Sequence, residues 1–190
     1  MIKGNPNIPF YVLFGVYWVL FLCVGLGYAD DIRLGAMARE DGVWQSTVYI
    51  WQTWSTRFLV ELVTFACYIP HTIVWRTLQA LTVALVAYSL SRLLCKRPSR
   101  KTNWLVCGVV CIYPMADMLS AGWIATTCLY WWTLALFLYS LIPWKKYFAG
   151  EKVSPHSYVL SILAVFYAVF AEQLTALAAG FVLLAFAWII

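Results

Sequence analysis

Two adjacent carboxylates, Asp30 and Asp31, follow directly on a long apolar run, Ile8–Tyr28. At a water–lipid boundary a carboxylate can act as a general base toward a hydroxyl, or bind a divalent cation through oxygen. The same dipeptide is also common in ordinary solvated loops, so its setting has to decide. Arg33 stands two residues further on, and Trp54-Ser55-Thr56-Arg57 brings a second arginine. A guanidinium grips phosphate in bidentate fashion. A carboxylate base with arginines on one membrane face is therefore suited to transfer from a lipid-linked phosphate. The base takes the acceptor's proton while the cations steady the departing phosphate. Arg57 and Glu61 are four residues apart, the spacing at which helices pair opposite charges, so an internal ion pair competes with the phosphate role.

Other residues have two readings each. Asp117 could line a cavity or mark the interface. Tyr130-Trp131-Trp132 could stack on a sugar or belong to an aromatic belt. Glu172-Gln173 adds a polar pair between apolar segments. Arg76 is expected to snorkel to the interface. No metal site is assigned, since His71 and His156 fall on opposite sides of the topology below. A divalent cation at the acidic residues stays open as a cofactor. The six cysteines form no CxxC pair; Cys107 and Cys111 share a helix face and read as small packing residues.

These residues must be positioned by membrane helices. The apolar fraction is 64%, only 11% of residues are charged, and mean hydropathy is +0.80. A soluble domain carries roughly 25% charged residues, which excludes that class. The alternating pattern of a membrane β-barrel is absent, and lipid forces spanning backbone to be helical. The net charge of +5 fits the excess of Lys and Arg in cytoplasmic loops rather than nucleic-acid binding. The expected fold is an all-α, polytopic transmembrane bundle of about six spans, at residues 8–28, 73–94, 104–119, 124–142, 158–171 and 174–190. Gly27 and Ala29 resemble cleavage-site residues, but the first run is long enough to span and is read as an uncleaved helix.

Val43–Tyr68 is ambiguous. Trp44, Val48, Trp51, Ser55, Phe58, Leu62 and Phe65 recur at three- and four-residue steps, one face of an amphipathic helix. Charge counting places it. If residues 29–70 form an outer-surface loop with interfacial helices, the inner side holds Lys3, Arg92, Lys96, Arg97, Arg100, Lys101, Lys145, Lys146 and Lys152, 9 of the 13 basic residues. If Val43–Tyr68 spans instead, the cluster from Lys96 to Lys101 moves outside, against the positive-inside rule. The first arrangement implies a multi-pass plasma-membrane protein with a cytoplasmic N-terminus. It leaves every acid but Glu151 on the outer side.

Three patches carry a family resemblance. They are Tyr28-Ala29-Asp30-Asp31-Ile32-Arg33 with Trp54-Ser55-Thr56-Arg57; Ala121-Gly122-Trp123-Ile124-Ala125-Thr126-Thr127-Cys128-Leu129-Tyr130-Trp131; and Ala171-Glu172-Gln173. Together with the order of segments, they make the chain resemble the bacterial GT-C glycosyltransferases. The likeness is to the branch of GtrII-type O-antigen glucosyltransferases and related uncharacterised membrane proteins. The resemblance implies inverting transfer of a sugar from a polyprenyl-phosphate carrier to a cell-envelope glycan on the outer face. It implies Asp30 or Asp31 as catalytic base, with Arg33, Arg57, Asp117, Tyr130, Glu172 and Gln173 as substrate-binding residues. The implied partners are membrane lipid, the polyprenyl-phosphate sugar, a glycan acceptor and other membrane proteins. The chain departs from the pattern at Thr56, where relatives often have Gly, and at Leu129, where they often have Asn. Because such enzymes carry more spans, the chain reads as an N-terminal half. The competing expectations are a non-enzymatic flippase or transporter subunit, and an inactive truncated remnant.

Overall fold

The computed structural model describes residues 5–26, 29–113 and 122–189. Among these residues every regular element is helical, as expected. They are α1 (Ile8–Cys23), α2 (Ala29–Glu40), α3 (Val43–Thr53), α4 (Phe58–Cys67), α5 (Thr72–Leu94), α6 (Arg100–Val110), α7 (Ile124–Phe148), α8 (Pro155–Ala168) and α9 (Glu172–Ile189). Two of them, α5 with 23 residues and α7 with 25, are long and apolar enough to cross a membrane. At 1.5 Å per residue each reaches about 35 Å.

Contacts between helix ends define two poles. Arg76, at the start of α5, donates to the carbonyls of Phe21 and Val24 at the end of α1, the latter at 2.9 Å. Arg92, near the end of α5, reaches Asn7 Oδ1 before α1 at 3.4 Å. These two helices are therefore antiparallel. Between α5 and α7 the pairs run in step: Trp75 Nε1 to Thr127 Oγ1 (3.2 Å), Trp132 Nε1 to Gln79 Oε1 (2.6 Å) and Lys145 Nζ to the Arg92 carbonyl (2.6 Å). Those helices are parallel. Asn103 of α6 accepts from Ser91 Oγ at 2.6 Å and donates to the Pro6 carbonyl at 2.8 Å, at the same pole as Arg92. Ile124 lies at the other pole, where its N–H meets Asp31. Helix α8 runs back along α7, with Ser161 Oγ donating to the Ser140 carbonyl at 2.6 Å and Tyr167 to the Cys128 carbonyl at 3.4 Å.

Polar side chains share the interior with a largely apolar core. Gln79, Ser91, Asn103, Thr127 and Ser161 are buried, each in the hydrogen bonds just given. Large aliphatic side chains face outward, including Leu105 (65% exposed), Ile162 (63%) and Leu184 (73%).

Several boundaries differ from the sequence expectation. Helix α1 stops at Cys23 rather than Tyr28, because Arg76 satisfies the last carbonyls from outside. Arg76 therefore serves as a cap for α1. Helix α6 starts earlier than 104, at Arg100, where Ser99 and Thr102 form a reciprocal capping box. It ends at Val110, well short of 119, with Cys111 at its C-cap. Cys107 is buried and Cys111, one turn further on, is exposed. Helix α7 continues past 142 to Phe148, and Lys145 and Lys146 in its last turn suit the negative end of the helix dipole. Helices α8 and α9 begin two or three residues earlier than expected, α8 behind a Ser154 cap.

Val43–Tyr68 is two helices, not one. The buried Ser55 hydroxyl accepts from the Arg57 backbone N–H (3.2 Å) and from Arg57 Nε (3.0 Å). Such local bonds compete with helix continuation. Helix α3 buries Ser46, Thr47 and Ile50, while Trp44 and Trp51 stay more than half exposed. The aromatic stripe survives by folding on itself: Phe58 of α4 meets Trp44 and Trp51 edge-on, at 5.6 and 5.9 Å between ring centres.

Candidate functional site

Helices α2, α3 and α4 gather at the pole where α7 begins, and Asp31 joins them. Ala29 opens α2 in the left-handed region, φ +41, a conformation that costs an L-residue roughly 1 kcal/mol or more. Asp30 and Asp31 thereby occupy the first turn of α2, where the helix dipole favours negative charge. Asp31 is 5% exposed. Its Oδ2 accepts the Ile124 N–H at 3.0 Å, and its Oδ1 accepts the Ala125 N–H at 3.0 Å and the Tyr68 hydroxyl at 2.6 Å. One carboxylate thus lies at the N-termini of two helices and satisfies donors that α7 cannot satisfy itself.

The Asp30-Asp31 pair divides in consequence. The oxygens of Asp31 are engaged by three donors. Asp30 is exposed and makes no hydrogen bond or ion pair among the described residues. The open carboxylate is therefore Asp30, and Asp31 is an anchor.

Tyr68 was not foreseen from the sequence. It lies 37 positions from Asp31, and no periodicity links the two. Burial and the neighbouring Asp31 charge push its phenol far above the ordinary tyrosine range, so it stays a donor. Gly35 allows its approach. A Cβ there would lie 3.3 Å from the Tyr68 ring and 3.4 Å from the Arg39 guanidinium. Asp31, Arg39, Tyr68, Pro70 and Ile124 border a cavity of about 350 Å³.

A second cluster forms around Arg57. Its Nε lies 4.0 Å from Glu61 Oε1 and 3.9 Å from Glu172 Oε1. Thr56 Oγ1 donates to the same Glu172 oxygen at 3.2 Å. The expected Arg57–Glu61 pair is therefore present, with Glu172 as a second carboxylate from the start of α9. All these contacts lie on the Nε side. The two terminal nitrogens of Arg57 make no hydrogen bond among the described residues. Burial raises Glu61 above the ordinary glutamate value, and the nearby Arg57 charge opposes that shift.

Arg33 connects the clusters, its guanidinium 5.0 Å over the Trp54 ring, just before Ser55-Thr56-Arg57. Beneath them lies a π-helical turn, Thr127–Trp132, within α7. A wider turn buries the adjacent Trp131 and Trp132 together, at 6% and 8% exposure. Such turns are frequent at functional sites. The Cys67 and Cys128 thiols approach to 3.9 Å there.

The structure thus brings Asp30, Asp31, Arg33, Arg57 and Glu172 to one pole. Gln173 and Tyr130 are exposed nearby in sequence, Tyr130 at 48%, and neither makes a side-chain hydrogen bond among the described residues. Asp117, Tyr28 and Ala121 lie outside the described residues. Each of the three sequence patches has described residues in contact with another patch: Asp31 with Ile124 and Ala125, and Arg57 with Glu172. Among the described residues no group of three or more His, Cys, Asp or Glu is placed to hold a metal ion. The chain matches no family model, and no curated protein or solved structure matches it.

Proposed function

We propose that the protein is a multi-pass membrane glycosyltransferase that works at its acidic pole on a polyprenyl-phosphate sugar. The outward aliphatic surface supports the membrane part of this reading, because soluble monomers rarely expose contiguous apolar area on that scale. Buried amides and hydroxyls between helices suit a lipid solvent, in which polar groups hold helices together. The arrangement of α1, α5, α6, α7, α8 and α9 between the two poles accommodates six crossings. The shorter helices demand tilted neighbours or a locally thinned bilayer. Arg92, Lys96, Lys145 and Lys146 share one pole, and this excess of lysine and arginine supports reading that pole as cytoplasmic and the α2–α4 layer as outer.

The observation that supports the enzymatic part is that the pole with the exposed carboxylate of Asp30 also holds two arginines, Arg33 against Trp54 and Arg57 beside Glu172. In the proposed reaction an acceptor hydroxyl oxygen attacks the anomeric carbon of the sugar. Asp30 takes the hydroxyl proton. The bond between the anomeric carbon and the phosphate oxygen breaks, and polyprenyl phosphate departs with the electron pair. The terminal nitrogens of Arg57 meet its growing charge, and Arg33 adds a second cation. Attack from the face opposite the leaving group inverts the anomeric centre. Asp31 positions this machinery through α7 without touching substrate.

The experiment is transfer of radiolabelled sugar from polyprenyl-phosphate hexose in membranes containing the protein. Asp30→Asn is expected to lower the rate by about a hundredfold or more, and Arg57→Gln to do likewise, with both variants inserted normally. Undiminished transfer in Asp30→Asn rules out the base. Absence of any transfer from a set of hexose donors removes the enzymatic reading and leaves a non-enzymatic membrane subunit.

A further inference from the structure

The pole opposite the candidate active site has its own cavity. About 300 Å³ in volume, it lies where the ends of α5 and α7 meet, and Arg92, Lys96, Lys145, Lys146 and Glu151 line it. Four cations face one carboxylate. Lys145 is committed: its Nζ donates to the Arg92 carbonyl at 2.6 Å and the Cys95 carbonyl at 3.1 Å. It closes the end of α5. Arg92 is held by the Tyr88 ring, 5.0 Å beneath its guanidinium, yet its Nε is buried with no acceptor. A buried guanidinium donor without a partner calls for an anion or water. Lys96 and Lys146 form no ion pair among the described residues. Gly150, at φ +70, reverses the chain after α7 so that the Glu151 N–H returns to the Lys146 carbonyl at 2.9 Å.

The surroundings indicate where an anion comes from. Trp144, Tyr147 and Phe148 are 42–58% exposed on the last turns of α7, and Trp104 is 42% exposed beside Arg100 and Lys101 on α6. Aromatic and basic residues at one level mark a membrane–water interface, and basic pockets between helices at a cytoplasmic surface take anionic headgroups.

We infer that the cavity between the ends of α5 and α7 is a binding site for the phosphate ester of an anionic phospholipid, held by Arg92, Lys96 and Lys146. The inference rests on the membrane reading above but not on the enzymatic one. Resistance of the protein to alkaline carbonate extraction tests the membrane reading separately.

The test is native mass spectrometry of detergent-solubilised protein titrated with phosphatidylglycerol or phosphatidylcholine. A retained phosphatidylglycerol adduct is expected, with no equal phosphatidylcholine adduct. Lys96→Gln/Lys146→Gln should weaken it about tenfold or more, while Arg100→Gln/Lys101→Gln, outside the cavity, leaves it within about twofold of the parent. Equal retention of both lipids, or equal loss in both double variants, overturns the site in favour of diffuse surface charge. Displacement of the lipid by millimolar inorganic phosphate overturns the lipid assignment and gives the cavity to a soluble phosphate compound.

Discussion

Asp31 and Asp30 are neighbours with different work. Removing the Asp31 charge leaves the Ile124 and Ala125 N–H groups and the Tyr68 hydroxyl short of an acceptor in a buried place. Hydrogen bonds to charged groups contribute roughly 1.5–3 kcal/mol each, and orphaned buried donors cost about as much. Asp31→Ala should therefore lower stability by about 3 kcal/mol or more, seen as an earlier melting transition in detergent. Asp30→Asn should melt with the parent. Equal melting of both variants would show that the anchor contributes nothing. Glu61 supplies a pH dependence. Burial raises its folded-state value above 4.5, so the fold favours its protonated form. Its contribution is fully present below the unfolded value and is lost as pH climbs through the raised folded value. Melting temperature should fall over that window in the parent and fall less in Glu61→Gln. An unchanged slope in the variant would assign the dependence to other groups.

At the scale of elements, the site depends on α4 lying against the π-helical turn of α7. Cys67 and Cys128 report on that contact directly. Their thiols are 3.9 Å apart, so mild oxidation should link residues 67 and 128 within one chain, detectable by peptide mass spectrometry. Cross-linking of Cys107 to Cys111 alone would contradict the packing. The α3–α4 break was not legible in the sequence. Spacing of apolar residues from Trp44 to Phe65 is helical throughout, and only the Ser55 side chain, bonded back to Arg57, interrupts it. The π turn was equally hidden, because consecutive tryptophans read as a belt until both are seen buried. The end of α1 was misjudged for a similar reason. Its cap comes from Arg76, far along the chain, and hydropathy carries no record of such a partner.

At the scale of the whole molecule, charge separates along the bundle axis. Gly42 belongs to the α2–α3 turn at the acidic pole, and Ser99 caps α6 at the basic pole. Cysteines placed at these two positions in a cysteine-free background should label from opposite sides of the membrane with an impermeant maleimide. Labelling of both from outside would refute the topology. Positive-inside counting leads to this expected outcome from segment order and the positions of lysine and arginine alone. It could not anticipate that Asn103, Ser91 and Pro6 would join three segments at one pole, since those bonds span 12 and 97 residues.

Composition alone determined that this chain is apolar, and its all-helical reading, which rested on the few alternatives that lipid would leave a spanning backbone, agrees with the described residues. The residue types also marked Asp30, Asp31, Arg33, Arg57 and Glu172 as the groups able to do chemistry. Only the tertiary structure decided which of them meet. Asp31 became an anchor because α7 presents its first N–H groups there. Arg57 came to face Glu172 because the turn after α3 and the turn before α9 reach the same pole. Hydrogen-bond partners of that kind are chosen by the packing of whole helices, and no local pattern in the chain encodes them.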